Sequence, residues 1–367
     1  MKRSRRAKRL WLLLLLPTAV LVSAVSAARP EVVETTYSSG LYPMLFAPIS
    51  RAVGLLPFSL AEMIVLAAAV LGVVSAARVI RHLLCGRRRT RIRSVSRLVV
   101  DLLVAASVLS FAFVLSWQVN YNRMPLSHAL GLSVQPSTVD ELEALCVHLI
   151  QRANALRQLV VEDTLGVMHI PGGQRSVFNR ATLGFDALAG EYKVFGGNYG
   201  RPKPVLLSRL LSHAGIAGVY FPFTAEANVN VMVPHASLPS TTCHEMAHQR
   251  GFAREDEANY VAYLACLAHP DIDFQYSGTF LALVHAMNAL HAHDSARYKD
   301  LRQTYSPGLK RDMDYTTEFW RQFEGPIERV STNINDAYLK ANRQTDGVAS
   351  YGRMVDLLLA EYRRGRQ

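Results

Sequence analysis

The sequence predicts an α+β protein in which three N-terminal transmembrane helices precede a mainly helical domain with a small sheet. Three long apolar runs fill the first 119 residues, and Gly, Pro, aromatic and β-branched residues concentrate between about 170 and 239. Helical periodicity flanks that stretch on both sides. Half of the 367 residues are hydrophobic and the mean hydropathy is +0.11, high for a chain of this length built only of water-soluble domains.

The first run, about 10–28, opens with "WLLLLL" behind Lys2, Arg3, Arg5, Arg6, Lys8 and Arg9. The second covers about 59–79 and the third about 98–119. At about 1.5 Å per residue, each reaches across a hydrocarbon core of about 30 Å. "VSAVSAA" has the small residues of a signal-peptidase site, but the run is longer than a signal core and two more follow, so a retained helix is expected. Arg78, Arg81, Arg87, Arg88, Arg89, Arg91, Arg93 and Arg97 lie between the second and third runs, whereas the stretch 29–58 has only Arg29 and Arg51. The positive-inside rule then puts the N-terminus and "CGRRRTRIRSVSR" in the cytoplasm and everything after Asn120 outside, in a multi-pass protein of the cell membrane. The expected organisation is a membrane domain over 1–119 and an extracytoplasmic domain over 120–367. Trp117 and Tyr121 stand where an aromatic belt would anchor the third helix.

The net charge of +11 does not indicate nucleic acid. Residues 1–119 carry 16 Lys and Arg against four acids, and the rest carry 24 against 25, so the basicity is a topology signal and no nucleic-acid partner is expected. Glu62 and Asp101 fall near the ends of apolar runs; snorkelling or a local pair, such as Asp101 with Arg97 four residues earlier, is expected of them. The cysteines 85, 146, 243 and 266 form no framework. Buried free thiols are expected, with a Cys243–Cys266 bridge as the lesser alternative.

In the second domain, "STVDELEALCVHLIQRANALRQLV" places Thr138 and Glu141 in capping-box spacing ahead of a helix with Leu142, Leu145, Cys146, Leu149, Ala153 and Leu156 on one face. "KPVLLS", "GVYFPFT" and "ANVNVMVP" read as short strands. The chain turns helical again from Ser240, including "LALVHAMNALHAH" and a last helix opening at Ser350.

At that change of pattern stands "CHEMAHQRGFAREDEAN". Pro239 with its Ser/Thr neighbours starts a helix and Gly251 stops it, so His244 and His248 share one face a turn apart. Two imidazoles so placed reach one tetrahedral Zn²⁺, and Glu245, turned about 100° away, is set to take a proton from a metal-bound water. The following helix "EDEANYVAYLAC" is apolar nearly all round, and three carboxylates opening a buried helix require a positive partner. Glu255 shares a face with the small residues Ala258, Asn259, Ala262 and Cys266 and is the expected third ligand; Glu257, beside Tyr260, Val261 and Leu264, is the alternative if the helix is rotated. Asp256 shares a face with Tyr260 and Tyr263. Asn259 is placed to hydrogen-bond a ligand histidine.

"HEMAH" followed by "EDEAN" resembles the gluzincin pattern, and is similar to membrane-embedded zinc peptidases that process prenylated proteins or respond to envelope stress. The longer run "FTAEANVNVMVPHASLPSTTCHEMAHQRGFAREDEANYVAYLAC", with "GVASYGRMVDLL" near the C-terminus, resembles an uncharacterised family of bacterial three-span membrane proteins. The resemblance implies a zincin-like external domain and a membrane-anchored zinc endopeptidase that hydrolyses exported or envelope proteins. His244, His248 and Glu255 would hold the metal and Glu245 would be the base. "NVNVMVP" would take the substrate backbone onto a sheet edge. Tyr351 and Arg353 are candidates to stabilise the oxyanion, and Glu226 and Asn228 to support the ligands. The alternative is a non-catalytic envelope protein that keeps the fold as a binding or sensing module. The presence of Glu245 favours catalysis, because a binding module has no use for the base.

Overall fold

The computed structural model of the chain describes residues 9–85, 88–344 and 346–365. The basic residues ahead of Arg9, together with Arg87, lie outside the described residues. The chain is mostly helical and has one three-stranded sheet.

Among the described residues, two helices are long and apolar enough to cross a bilayer, α3 (Leu60–Cys85) and the Ser94–Ser116 part of α4 (Arg88–Ser116). The first apolar run forms α1 (Trp11–Ala27), which meets α2 (Pro30–Gly54) at 100°, so a third span exists only if this bent pair counts as one. Pro30 causes the bend. It has no N–H to continue the helix and steers Arg29 away from helical geometry, to φ −140° and ψ 61°. The stretch expected to be a loop between the first two spans is thus a helix packed on the rest of the protein. Tyr42 is fully buried there with its hydroxyl 2.8 Å from that of Tyr220, and Ser50 Oγ accepts from Gly200 N at 2.9 Å.

Three expectations about the spans are corrected. The third ends at Ser116, and Trp117 and Tyr121, each 4% exposed, are buried against protein, so they form no lipid-facing belt. Asp101 pairs with Arg9 at 3.2 Å, because α1 lies alongside α4, and not with Arg97. Glu62 neither snorkels nor pairs locally. It accepts from the backbone N–H groups of Leu206 and Leu207 at 2.9 and 2.8 Å, which open α8 (Ser208–His213). Glu226 does the reverse, accepting from Leu60 N and Ala61 N at 2.9 and 2.7 Å at the start of α3. Each carboxylate meets backbone N–H groups at the start of a helix, so α3 and the rest of the chain are stapled in both directions.

The core is helical. The capping box of Thr138 and Glu141 forms and starts α5 (Val139–Arg157), which buries Leu142, Leu145, Cys146, Leu149 and Ala153 as its periodicity predicts. Around it lie α6 (Gly173–Arg180), α7 (Thr182–Glu191), α9 (Leu238–Gln249), α10 (Glu255–Ala268) and α11 (Ile272–His293). Close approach to α10 requires glycine on both neighbours, since a Cβ at Gly184 would lie 2.0 Å from Ala265 O and one at Gly278 would lie 2.5 Å from Cys266 Cβ. Cys146, Cys243 and Cys266 are buried free thiols. Next come α12 (Ser295–Arg302), α13 (Pro307–Arg321) and α14 (Pro326–Ala341). The last helix, α15 (Met354–Arg364), begins after a 3₁₀ stretch over Gly347–Arg353, later than Ser350.

The sheet runs β1 (Lys203–Pro204), β3 (Glu226–Val229), β2 (Gly218–Phe221), with β1 parallel and β2 antiparallel to β3. The middle strand is therefore the one containing "NVNV", and both its edges are paired. The edge strands are β1 and β2. The Asn230 amide donates to Ala217 O at 2.9 Å, so by antiparallel alternation Ala217 and Val219 face β3, while the backbone groups of Gly218 and Tyr220 face outward.

Candidate metal centre

Helix α9 opens with Pro239 in its first turn and ends where Gly251 turns left-handed at φ +80°. A side chain there would be strained in φ and would meet Asn120 Oδ1 at 3.1 Å. This turn sends the chain back so that Glu255, the first residue of α10, faces His244 and His248. Glu255 Oε2 lies 3.2 Å from His244 Nε2 and 3.6 Å from His248 Nε2. Two donors on a tetrahedral ion with bonds of about 2.0–2.1 Å stand about 3.3 Å apart, so both pairs that Glu255 makes have the spacing of donors on one Zn²⁺. Among the described residues they form the one group of His, Cys, Asp or Glu with ligand atoms close enough to share a metal ion, all within 4.8 Å of one another.

The ring of His248 is fixed by its other nitrogen, Nδ1, which donates to Phe252 O at 2.7 Å and turns Nε2 toward Glu255. Trp117 meets the same ring edge to face, with centroids 5.4 Å apart. Asn259 does not hold a ligand ring. Its amide nitrogen is buried without a partner at the wall of the cavity, because the Phe252 carbonyl already occupies the position behind His248.

Burial alone would raise the Glu255 carboxyl, but His248 and His244 outweigh it and hold it well below the usual carboxylate range. Burial likewise opposes charge on His248, and the Glu255 carboxylate overcomes it, raising the imidazole to about 9. Glu245 differs. Burial dominates and raises it to about 6, the two imidazoles only partly opposing. It is 3% exposed and its Oε2 has no hydrogen-bond partner.

The other carboxylates of α10 face elsewhere. Glu257 Oε1 accepts from Leu126 N at 2.8 Å and from Arg254 Nη1 at 3.0 Å, and Asp256 lies 3.5 Å from Gln344 Nε2. Glu226 serves the start of α3, not a ligand, and Asn228 donates to the carbonyls of Val219 and Glu226 within the sheet. Arg353 pairs with Asp346 at 3.3 Å, and the Tyr351 side chain lies outside the described residues.

The metal-type cluster forms the floor of a cavity of about 730 Å³ whose walls are β2 with Ala217, the Trp117 and Tyr121 rings, and α14 with Ser331, Thr332, Asn335 and Tyr338. Tyr338 is a residue that sequence reasoning misses. Trp117 Nε1 and the Tyr121 hydroxyl both donate to its oxygen, at 3.0 and 3.3 Å, so its own proton is free to point elsewhere. Burial raises its phenol to about 12, which keeps that proton on. Gly218 is missed too: a Cβ there would sit 2.5 Å from Glu245 Oε1. The only sequence signal for it is a glycine opening a strand.

A family model matches residues 37–359, from the middle of α2 into α15. The chain belongs to that family, described as protein of unknown function (DUF3810). The matched range takes in both long apolar helices, α9, α10 and α14. No curated protein and no solved structure matches the chain.

Proposed function

We propose that this DUF3810 chain is a membrane-anchored zinc endopeptidase with a zincin-like domain, acting on exported or envelope proteins outside the cytoplasm. The observation that carries the reading is Glu245, next in sequence to His244 in a cluster of the His₂Glu donor type: its Oε2 is buried without a partner at the cavity, whereas Glu257, which also leaves one oxygen unpartnered, is tied to Leu126 N and Arg254 through the other. A structural glutamate that deep would be hydrogen-bonded; a general base has to keep an oxygen for the water it deprotonates.

His244, His248 and Glu255 would hold the ion. Bound Zn²⁺ would supply a Lewis acid for the scissile carbonyl and lower the pKa of the attacking water. Glu245 takes a proton from that water as its oxygen bonds to the carbonyl carbon, then delivers the proton to the amide nitrogen as the C–N bond breaks. The products are one carboxylic acid and one amine, and transfer of the acid's proton to the amine leaves them as carboxylate and ammonium. Tyr338 is suited to donate its free O–H to the oxygen that gains charge. The outward backbone groups of Gly218 and Tyr220 suit an extended substrate added alongside β2, in place of the paired strand "NVNV". The arginines from 78 to 97 support a cytoplasmic location for the Cys85 end of α3 and the Arg88 end of α4, and hence an external cavity.

The deciding experiment is hydrolysis of a mixed peptide library by the purified full chain in detergent, with zinc measured in the same sample. Zinc near one equivalent with chelator-sensitive cleavage, absent in Glu245→Gln, is the expected result. A chain with no bound zinc and no cleavage overturns the reading.

A further inference from the structure

The C-terminal end of α14 rests on a span. Tyr338 packs against Phe113, in the last turn of α4, with ring centroids 6.1 Å apart. The opposite end, just ahead of α14, rests on the element tied to the other span. Phe323 packs on His213 of α8 at 4.9 Å, and α8 is opened by the N–H groups that Glu62 of α3 binds. Helix α14 is thus tied to the Ser116 end of α4 directly and to the Leu60 end of α3 through α8, and its side chains line the cavity between these two ties.

Its side chains fit such a position. Ile327, Val330 and Ile334 recur at helical spacing, Ile334 at the edge of the cavity-lining face, and Glu328, Arg329, Asn333, Asp336 and Lys340 stand on other faces. Ile327, Val330 and Ile334 are uncovered. So are Leu206 and Leu210 on the α8 side and Phe223 beside the Glu226 staple, the six being 38 to 72% exposed. Other apolar side chains such as Leu159, Val161 and Leu165 are exposed singly elsewhere, but these six stand on or beside elements bonded or packed to the ends of the two apolar helices.

We infer that these six side chains form a rim seated in the headgroup and acyl boundary of the bilayer at the Leu60 and Ser116 ends of the spans, with phospholipid as the occupant. The rim continues the lipid-facing surface of α3 and α4, as an interfacial amphipathic helix does. It brings the cavity mouth within reach of the membrane-adjacent stretch of an anchored chain.

The test is nitroxide accessibility in the full chain carrying Cys85→Ser, with single labels at Leu210, Val330 or Ile334, reconstituted in phosphatidylethanolamine and phosphatidylglycerol vesicles. A label at Val70, 62% exposed in the middle of α3, reports the span itself, and one at Lys299, exposed on α12, reports water. Rim labels are expected to relax with lipid-dissolved oxygen more than with an aqueous nickel chelate, as at Val70 and opposite to Lys299. Nickel-dominated relaxation at the rim overturns the inference, and so does shielding from both reagents, which would mean a protein partner. The readout needs no turnover, so a lipid-seated rim in a chain that cleaves nothing sinks only the peptidase reading.

Discussion

Gly218 of β2 lies so close to Glu245 of α9 that a Cβ on it would come within 2.5 Å of the carboxylate oxygen and 2.7 Å of Cγ. The strand that would guide a substrate thus also sets the position of the base. Gly218→Ala is expected to destabilise the fold by about 1–3 kcal/mol, as overpacking of a dense core does, and to lower cleavage while zinc content stays near that of the unaltered chain. Thermal unfolding and metal analysis on one preparation check this; loss of zinc would mean that the strand supports the ligands and not the base.

Glu245→Gln retains size and burial but removes the proton acceptor. Zinc content is expected to be unchanged and kcat to fall by about 10²–10⁴, the usual worth of a general base. Cleavage at the original rate would exclude Glu245 from proton transfer.

Glu255→Ala removes one of three converging ligand atoms, and zinc content should drop sharply. Glu257→Ala should keep the metal and lose about 1–3 kcal/mol of stability, since it strips Leu126 N and Arg254 of their acceptor. The opposite pattern would transfer the ligand role to Glu257.

Tyr338→Phe keeps the ring against Phe113 and removes the hydroxyl proton. If that proton stabilises the transition state, kcat falls by about 10²–10³ with KM little changed, as when one oxyanion donor is deleted. A rise in KM at constant kcat would make Tyr338 a binding residue.

A phosphatase reporter fused after Pro125 should be active outside the cytoplasm and one fused near Arg91 inactive, because the arginine-rich segment 78–97 stays inside. The reverse pattern would overturn the orientation and the external site together.

The motif around His244 and the capping box at Thr138 were legible because they are local, involving residues three or four apart on one helix. The order of helix, sheet and helices was legible for the same reason, as was the apolar character of α3. The sheet order was not. "NVNVMVP" has the composition of a strand wherever it sits, and only its pairing with β1 and β2 makes it central. The destinations of Glu62, Glu226 and Glu257 could not be read either, since each bonds to backbone N–H groups more than 120 residues away in sequence, and any unpaired helix start would have served.

By itself the sequence determined the apolar helices, the two-histidine face with its adjacent glutamate, and the small-residue stripe that admits α10 close to α9; these follow from periodicity and side-chain size. Only the tertiary structure decided that Glu255 faces the histidines, that Trp117 and Tyr338 wall the cavity instead of meeting lipid or solvent, and that α2 is a packed helix. Those outcomes depend on how α10 is rotated about its axis and on how the Gly251 turn and the Glu62 and Glu226 staples fix rigid elements against one another. Side-chain periodicity within a single element is blind to all three.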